Sequence, residues 1–200
     1  MRVLVACEFS GIVRDAFIAA GHDAWSCDLL PTERPSKRHL QGDALHVLRG
    51  EWDLMVAHPP CVRLAYSGVR WLDERDLWAD MEASARFFRA LLDAPIPRIA
   101  IENPIPHRYA LAIIGRRYDQ IIQPWQFGHP ETKATCLWLK NLPPLQPTNV
   151  VEGRRGRVWL EAPGPDRWKN RSRTLPGIAA AMAAQWGSVP AVGAPPEEAR

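Results

Sequence analysis

The sequence predicts one α/β domain with a doubly wound, mostly parallel sheet, and three observations predict it. Short runs of β-favouring residues alternate with segments whose apolar residues recur at helical spacing, the pattern of strands joined by crossover helices. Gly, Pro and Asp cluster where one kind of segment gives way to the next. The length of 200 residues suits a single compact domain, which can bury roughly 70% of its unfolded chain's surface.

The first strand is Arg2-Val-Leu-Val-Ala6, and Gly11 to Ala20 reads as a helix closed by Gly21. A second strand, Asp23 to Cys27, ends on Asp28. Trp52-Asp-Leu-Met-Val-Ala57 is a third, running into His58-Pro59-Pro60-Cys61. Between Leu77 and Leu92 the apolar residues Met81, Ala85, Phe88 and Leu91 fall at helical spacing, and Pro97 introduces a strand from Arg98 to Glu102. Beyond Pro124 the texture changes. Gly128 and Pro130 precede a strand from Thr135 to Leu139, and a segment dense in Pro, Gly and Arg follows as far as Arg173. Gly177 to Gln185 reads as a short Ala-rich helix, and residues 190–200, rich in Pro, Ala and Glu, are expected to form a flexible tail.

Composition narrows the class without naming a task. A hydrophobic fraction of 46% and a charged fraction of 24% are ordinary for a soluble globular protein. A formal charge of +3 and a pI near 8.8 are mildly basic and compatible with a polyanionic partner. The excess is concentrated, because Arg154, Arg155, Arg157, Arg167, Lys169, Arg171 and Arg173 share one late segment. Cys7, Cys27, Cys61 and Cys136 form no CxxC pair, so neither a disulfide framework nor a zinc site is indicated, and reduced thiols suit a cytoplasmic protein. No apolar run approaches the roughly 18 to 20 residues of a membrane helix.

In an open parallel sheet, ligands bind outside the carboxyl ends of the strands, which singles out four places. After the first strand, Glu8-Phe9-Ser10-Gly11 provides a glycine for a tight turn into a helix whose amino end can face a ligand's negative group. After the second, Asp28 stands where a carboxylate can accept hydrogen bonds from ribose hydroxyls. Asp43 is placed either to hold an adenine amine or to cap a turn. The third, Pro59-Pro60-Cys61, is the most specific, since two prolines stiffen the approach, leave few backbone donors and present the thiol. The fourth, Glu102-Asn103-Pro104, puts a carboxylate beside that thiol on the same sheet edge.

The order Phe-x-Gly, acidic residue, Gly-Asp, Pro-Pro-Cys, Glu-Asn resembles that of the DNA cytosine-5 methyltransferases, and it spans most of the chain. The resemblance implies a Rossmann-like methyltransferase fold, S-adenosyl-L-methionine (SAM) as the cofactor, and cytosine in DNA as the substrate. It implies that Phe9, Gly11, Asp28 and Asp43 line the SAM pocket, and that Arg173-Thr174-Leu175 and the segment containing Ser188 return to it. It makes Cys61 the nucleophile and Glu102 its catalytic partner, with Pro60 and Asn103 at the substrate. Gly128-His-Pro-Glu-Thr-Lys133 is similar to the family's Gly-Val-Pro-Gln-x-Arg-x-Arg segment, which gives Lys133 a contact with the base.

The chemistry requires these residue types together. Carbon 5 of cytosine is a poor nucleophile, but a thiolate adding to carbon 6 makes it enamine-like, while an acid near N3 and the exocyclic amine stabilises the adduct. Carbon 6 is shielded within a duplex, so the base must be flipped out or already unpaired.

The sequence departs from the family pattern at Val13, Pro104, Glu131, Lys133 and Thr135, and in the loop Val62 to Gly68. The largest departure is a reduced basic segment, residues 140–173, where the family carries a target-recognition domain. Arg154, Arg155 and Arg157 there can contact phosphates, which gives affinity without sequence reading. Single-stranded DNA or a partner subunit for target recognition would each accommodate that loss. Two other readings keep the same residues: Cys-Glu chemistry with a modified SAM or a free nucleotide, and a non-catalytic nucleic-acid-binding protein on this fold.

Overall fold

The computed structural model describes residues 1–189, and the tail expected over 190–200 lies outside them. The strands are β1 Arg2–Ala6, β2 Asp23–Asp28, β3 His39–Gln41, β4 Leu54–Ala57, β5 Arg98–Pro104, β6 Gln120–Ile122 and β7 Thr135–Lys140. They form one sheet in the order β3-β2-β1-β4-β5-β7-β6. The pairs β1 with β2, β1 with β4, β2 with β3 and β4 with β5 are parallel, and β7 runs antiparallel to both β5 and β6. This is the doubly wound, mostly parallel α/β fold that the residue pattern predicts, with a Rossmann-like reversal of strand order between β1 and β4.

The helices are α1 Ile12–Ala19, α2 Arg70–Glu74, α3 Trp78–Leu92, α4 Arg108–Ile114, α5 Arg157–Leu160, α6 Arg167–Ser172 and α7 Pro176–Gly187. The central strands are covered on both faces, so β4 consists entirely of the buried residues Leu-Met-Val-Ala. Successive side chains go to opposite layers. Val3, Val5, Leu54 and Val56 pack with Val13 and Phe17 of α1 and Met182 and Trp186 of α7. Leu4, Ala6, Met55 and Ala57 pack with Met81, Ala85, Phe88 and Leu91 of α3. Among the described residues, no helix is long and apolar enough to cross a membrane.

Several boundaries depart from expectation. β5 continues to Pro104 because β7 supplies antiparallel partners as far as Thr135, opposite Pro104. Glu102 and Asn103 therefore sit inside the ladder and not beyond a strand end. β4 begins at Leu54, since Trp52 turns aside and donates its indole N–H to the Val47 carbonyl at 2.7 Å. The short elements β3, β6, α2 and α4 hold too few residues to display a period.

Trp138, on β7, is fully buried, meets Phe88 edge-on at 4.8 Å between ring centroids, and donates its indole N–H to the Arg116 carbonyl at 3.0 Å. Trp138→Ala is expected to cost about 3 to 5 kcal/mol in urea denaturation. Val150→Ala, at an exposed position, is expected to stay within about 0.5 kcal/mol of the parent protein.

Candidate active site

The reversal of strand order places the ends of β1 and β4 side by side, and the chain leaves β1 through a sharp turn. Cys7 lies in the left-handed region at φ 59°, unusual for a residue with a Cβ. Burial, then the neighbouring Asp28, Cys27 and Asp43, push its thiol far up. The next residue, Glu8, is 4% exposed. Its carboxylate accepts hydrogen bonds from the Val13 N–H at 2.7 Å, the Arg14 N–H at 3.2 Å and the Ser10 hydroxyl at 3.1 Å. The amino end of α1, expected to face a ligand's negative group, is thus satisfied by the chain's own anion.

Gly11 enters α1 at φ 71°, and a Cβ on it would strike the guanidinium of Arg14. Arg14 is itself buried, donating to the hydroxyls of Ser26 at 3.0 Å and Thr32 at 3.2 Å. Phe9 is buried beneath Trp168 of α6, with ring centroids 5.8 Å apart. A bidentate pair holds that cover down, Arg173 donating to the two Glu33 oxygens at 2.6 and 2.8 Å. The cover formed by α6 is not legible in the sequence, because neither Trp168 nor Glu33 belongs to a motif.

Asp28 stands at the end of β2 with one oxygen accepting the Leu30 N–H at 2.9 Å, and burial pushes its carboxyl up. Asp43 accepts the Leu45 N–H at 2.9 Å and caps the short turn that follows, the plainer of its two expected roles. Ser188 is not at this edge. It follows the end of α7, where Gly187 packs against His22, just before the start of β2, so it lies at the opposite edge of the sheet. Its hydroxyl donates to the Gln185 carbonyl at 3.0 Å.

The β4 and β5 ends bring several titratable side chains together. Ala57 pairs with Ile101 in parallel register, so the next residues along, His58 and Glu102, fall together. His58 Nδ1 lies 3.2 Å from Glu102 Oε2, with the side chains 9% and 12% exposed. Burial alone would raise the Glu102 carboxyl. The His58 hydrogen bond, the charges of Lys133 and His58 and a hydrogen bond with Thr135 outweigh it and hold the carboxyl down at about 2. Glu102 rests as a carboxylate, a hydrogen-bond acceptor and not a stored proton. His58 escaped the sequence reading although it immediately precedes Pro-Pro-Cys.

Cys61 is half-buried at the turn that follows, and its carbonyl accepts the N–H groups of Leu64 and Ala65. Burial, then Glu102, raise its thiol, while Lys133 and Arg171 act in the opposite sense. Cys61, Glu102 and Lys133 thus share one electrostatic neighbourhood, and Pro60 is exposed beside them. Asn103 corrects an expectation: it is 1% exposed and donates its amide to the Pro59 carbonyl at 3.1 Å. Its amide nitrogen braces the Pro-Pro turn, while its buried Oδ1 has no hydrogen-bond partner among the described residues.

The basic segment is largely engaged with the protein itself. Arg157 donates to Glu131 Oε1 at 2.7 Å, and Arg155 exchanges backbone hydrogen bonds with Pro130 and Thr132. Arg154 lies over the Trp125 ring at 4.0 Å. Residues 153–157 therefore buttress the loop that carries Lys133. The side chains of Arg154 and Arg155 remain on the exposed surface. Among the described residues, no cluster of three or more His, Cys, Asp or Glu side chains is placed to hold a metal ion.

Fold and site together define a Rossmann-like α/β protein with a thiol and a carboxylate at the strand ends of a doubly wound sheet. No protein-family model and no curated relative matches the sequence. Among solved structures it is similar to an E. coli prophage-encoded protein described as a DNA modification methyltransferase, at 13% identity over 82% of this chain and 55% of that one, with a TM-score of 0.49. It is similar to the Entamoeba histolytica methyltransferase EhMeth, at 13% identity over 82% of this chain and 60% of that one, TM-score 0.47. For a Spodoptera frugiperda DNMT2 variant the values are 16%, 77%, 54% and 0.40. The chain spans little more than half the length of each of these proteins.

Because the Glu102 carboxyl is depressed from 4.5 to about 2, it stabilises the fold above the ordinary carboxyl range, and that stability disappears as the pH falls towards 2. The contribution is on the order of 3 kcal/mol. In urea denaturation, wild type is expected to exceed Glu102→Gln at neutral pH, with the gap closing between pH 4.5 and 2.

Proposed function

We propose that the protein is a SAM-dependent DNA cytosine C5 methyltransferase that acts through a covalent Cys61 adduct at carbon 6. The observation that supports this reading most is the convergence of Cys61, Glu102 and Lys133 at the β4 and β5 ends, with Asn103 bracing the turn that presents the thiol. The Cys61 thiol first loses its proton to solvent. The sulfur pair then forms the bond to carbon 6, the C5–C6 π pair moves to C4–C5, and the C4–N3 π pair settles on N3, which takes a proton from water; once carbon 5 is substituted, loss of its proton to solvent re-forms the C5–C6 bond and expels the Cys61 sulfur. The Glu102 carboxylate accepts from the exocyclic amine, and the Lys133 ammonium donates to the base carbonyl as a point donor.

The residues fit the nucleoside half of SAM, whereas the amino end of α1 does not receive the carboxylate of its zwitterionic methionine end. Asp28 and Asp43 bring carboxylates to the ends of β2 and β3, and Phe9 with Trp168 supplies an aromatic wall. These side chains would hold the ribose, the adenine amine and the adenine ring, and the cofactor when bound supplies the methyl group. The amino end of α1 is closed to a cofactor carboxylate by Glu8.

Cytosine-containing DNA is the proposed substrate. The arginines of the basic segment serve the fold as much as they serve a ligand, which leaves little surface for reading a duplex and favours unpaired cytosine. A partner subunit is the other source of target recognition.

Cys61→Ser is expected to abolish modification while thermal unfolding and SAM binding stay near those of wild type, because a hydroxyl is a far weaker nucleophile than a thiolate. With the Cys61 thiol raised above its ordinary value of 9.0, the wild-type single-turnover rate should climb with pH from 7 to 9. Mass spectrometry of oligonucleotide products reads both effects, and a full rate in the serine variant would remove Cys61 from the mechanism.

Matched single-stranded and duplex oligonucleotides at several salt concentrations test the substrate. The unpaired cytosine should be modified faster, and Arg155→Ala should weaken binding alike for all sequences and reduce the salt slope by about one. A strong duplex preference with a recognition site of several base pairs would overturn that assignment.

A further inference from the structure

His58 is the hydrogen-bonded partner that the sheet builds for Glu102. The parallel register carries both residues one step beyond the Ala57 and Ile101 pair, and the side chains meet at 3.2 Å in a largely buried setting. His58 Nε2 is buried and has no hydrogen-bond partner among the described residues. A buried N–H without an acceptor is rarer and costlier than a bare acceptor, so the geometry favours the tautomer with its proton on Nδ1, donated to Glu102 Oε2. Charged and polar groups surround the pair: Asp28 acts on His58 from the end of β2, while Lys133 and Thr135 act on Glu102 from the β6–β7 side.

We propose that His58 is a positioning residue that holds one oxygen of Glu102 so that the other receives the exocyclic amine of the target base, selecting cytosine over uracil. This rests on the base-modifying reading above and extends it to a residue outside the motifs that carried it. An oriented carboxylate only accepts, so it takes the N4 amine of cytosine and meets the O4 carbonyl of uracil with repulsion. A buried polar site built for one hydrogen-bonding partner rejects the analogue that lacks it by large factors. Without His58, the carboxylate keeps only Thr135 and Lys133 as partners, can rotate or admit water on the side His58 vacates, and the choice between bases weakens.

The test measures tritium release from single-stranded oligonucleotides containing one [5-3H]cytosine or one [5-3H]uracil, without any methyl donor. Addition of Cys61 to carbon 6 lets water protonate carbon 5, tritium leaves as a proton, and elimination restores the base and the thiolate. Wild type should favour cytosine by about a hundredfold. His58→Ala should lower release from cytosine by about tenfold and leave uracil nearly unchanged. His58→Asn, which keeps an N–H near the Nδ1 position, should recover most of the preference.

If both bases slow equally in His58→Ala, the residue is merely structural and the proposal is overturned. Nitrogen-15 NMR of the wild-type imidazole provides a second measurement that does not depend on the variant folding. A proton on Nδ1 is expected, and a proton on Nε2 overturns the proposal. If wild type and Cys61→Ser alike release no tritium, the base-modifying reading itself fails and takes the proposal with it. Cys61-dependent release with an unaltered base preference in His58→Ala sinks the His58 proposal alone.

Discussion

The parallel register of β4 against β5 is the constraint on which the site depends. With Ala57 opposite Ile101, His58 and Glu102 must meet, and the Pro59 carbonyl comes within reach of the Asn103 amide. A slip of one residue would turn Glu102 to the other face of the sheet, where α3 packs. The slip is prevented by the two apolar layers themselves, since it would exchange Ala100 with Ile101 between the clusters on either side. Packing of the core and placement of the carboxylate are thus one problem with one solution.

The antiparallel strand β7 completes that arrangement. By pairing with β5 as far as Pro104 it brings Thr135, and just before it Lys133, to the same end of the sheet. Removing a carboxylate from water is costly unless opposite charge and hydrogen bonds replace the lost solvation. Glu102 has both, which is why it remains ionised although largely enclosed. Cys61 has the reverse balance, because burial and the Glu102 charge outweigh the help it receives from Lys133 and Arg171.

The late basic segment shows the same economy in another form. Arg157 and the Arg155 backbone secure the loop before β7, and Arg173 clamps α6 across Phe9 through Glu33. Partly exposed ion pairs contribute little stability, so their effect is chiefly orientation. A segment that looks in composition like a surface for phosphate also acts as the brace of the site and the cover of the strand end beside it.

Local pattern determined the central strands, the helices α1, α3 and α7, and the Pro-Pro turn that carries Cys61 after β4. Those features follow from periodicity and from turn chemistry, which are properties of neighbouring residues and can be seen in one dimension. Only the tertiary structure decided that His58 faces Glu102, that Glu8 closes the amino end of α1, that Asn103 turns to the Pro59 carbonyl, and that Ser188 lies at the far edge. The first and third depend on register between strands some forty residues apart, the second on the reversal at Cys7, and the fourth on the direction in which α7 crosses the sheet. Pairing register, backbone reversal and helix direction are set by the packing of distant segments, so no local stretch of residues encodes them.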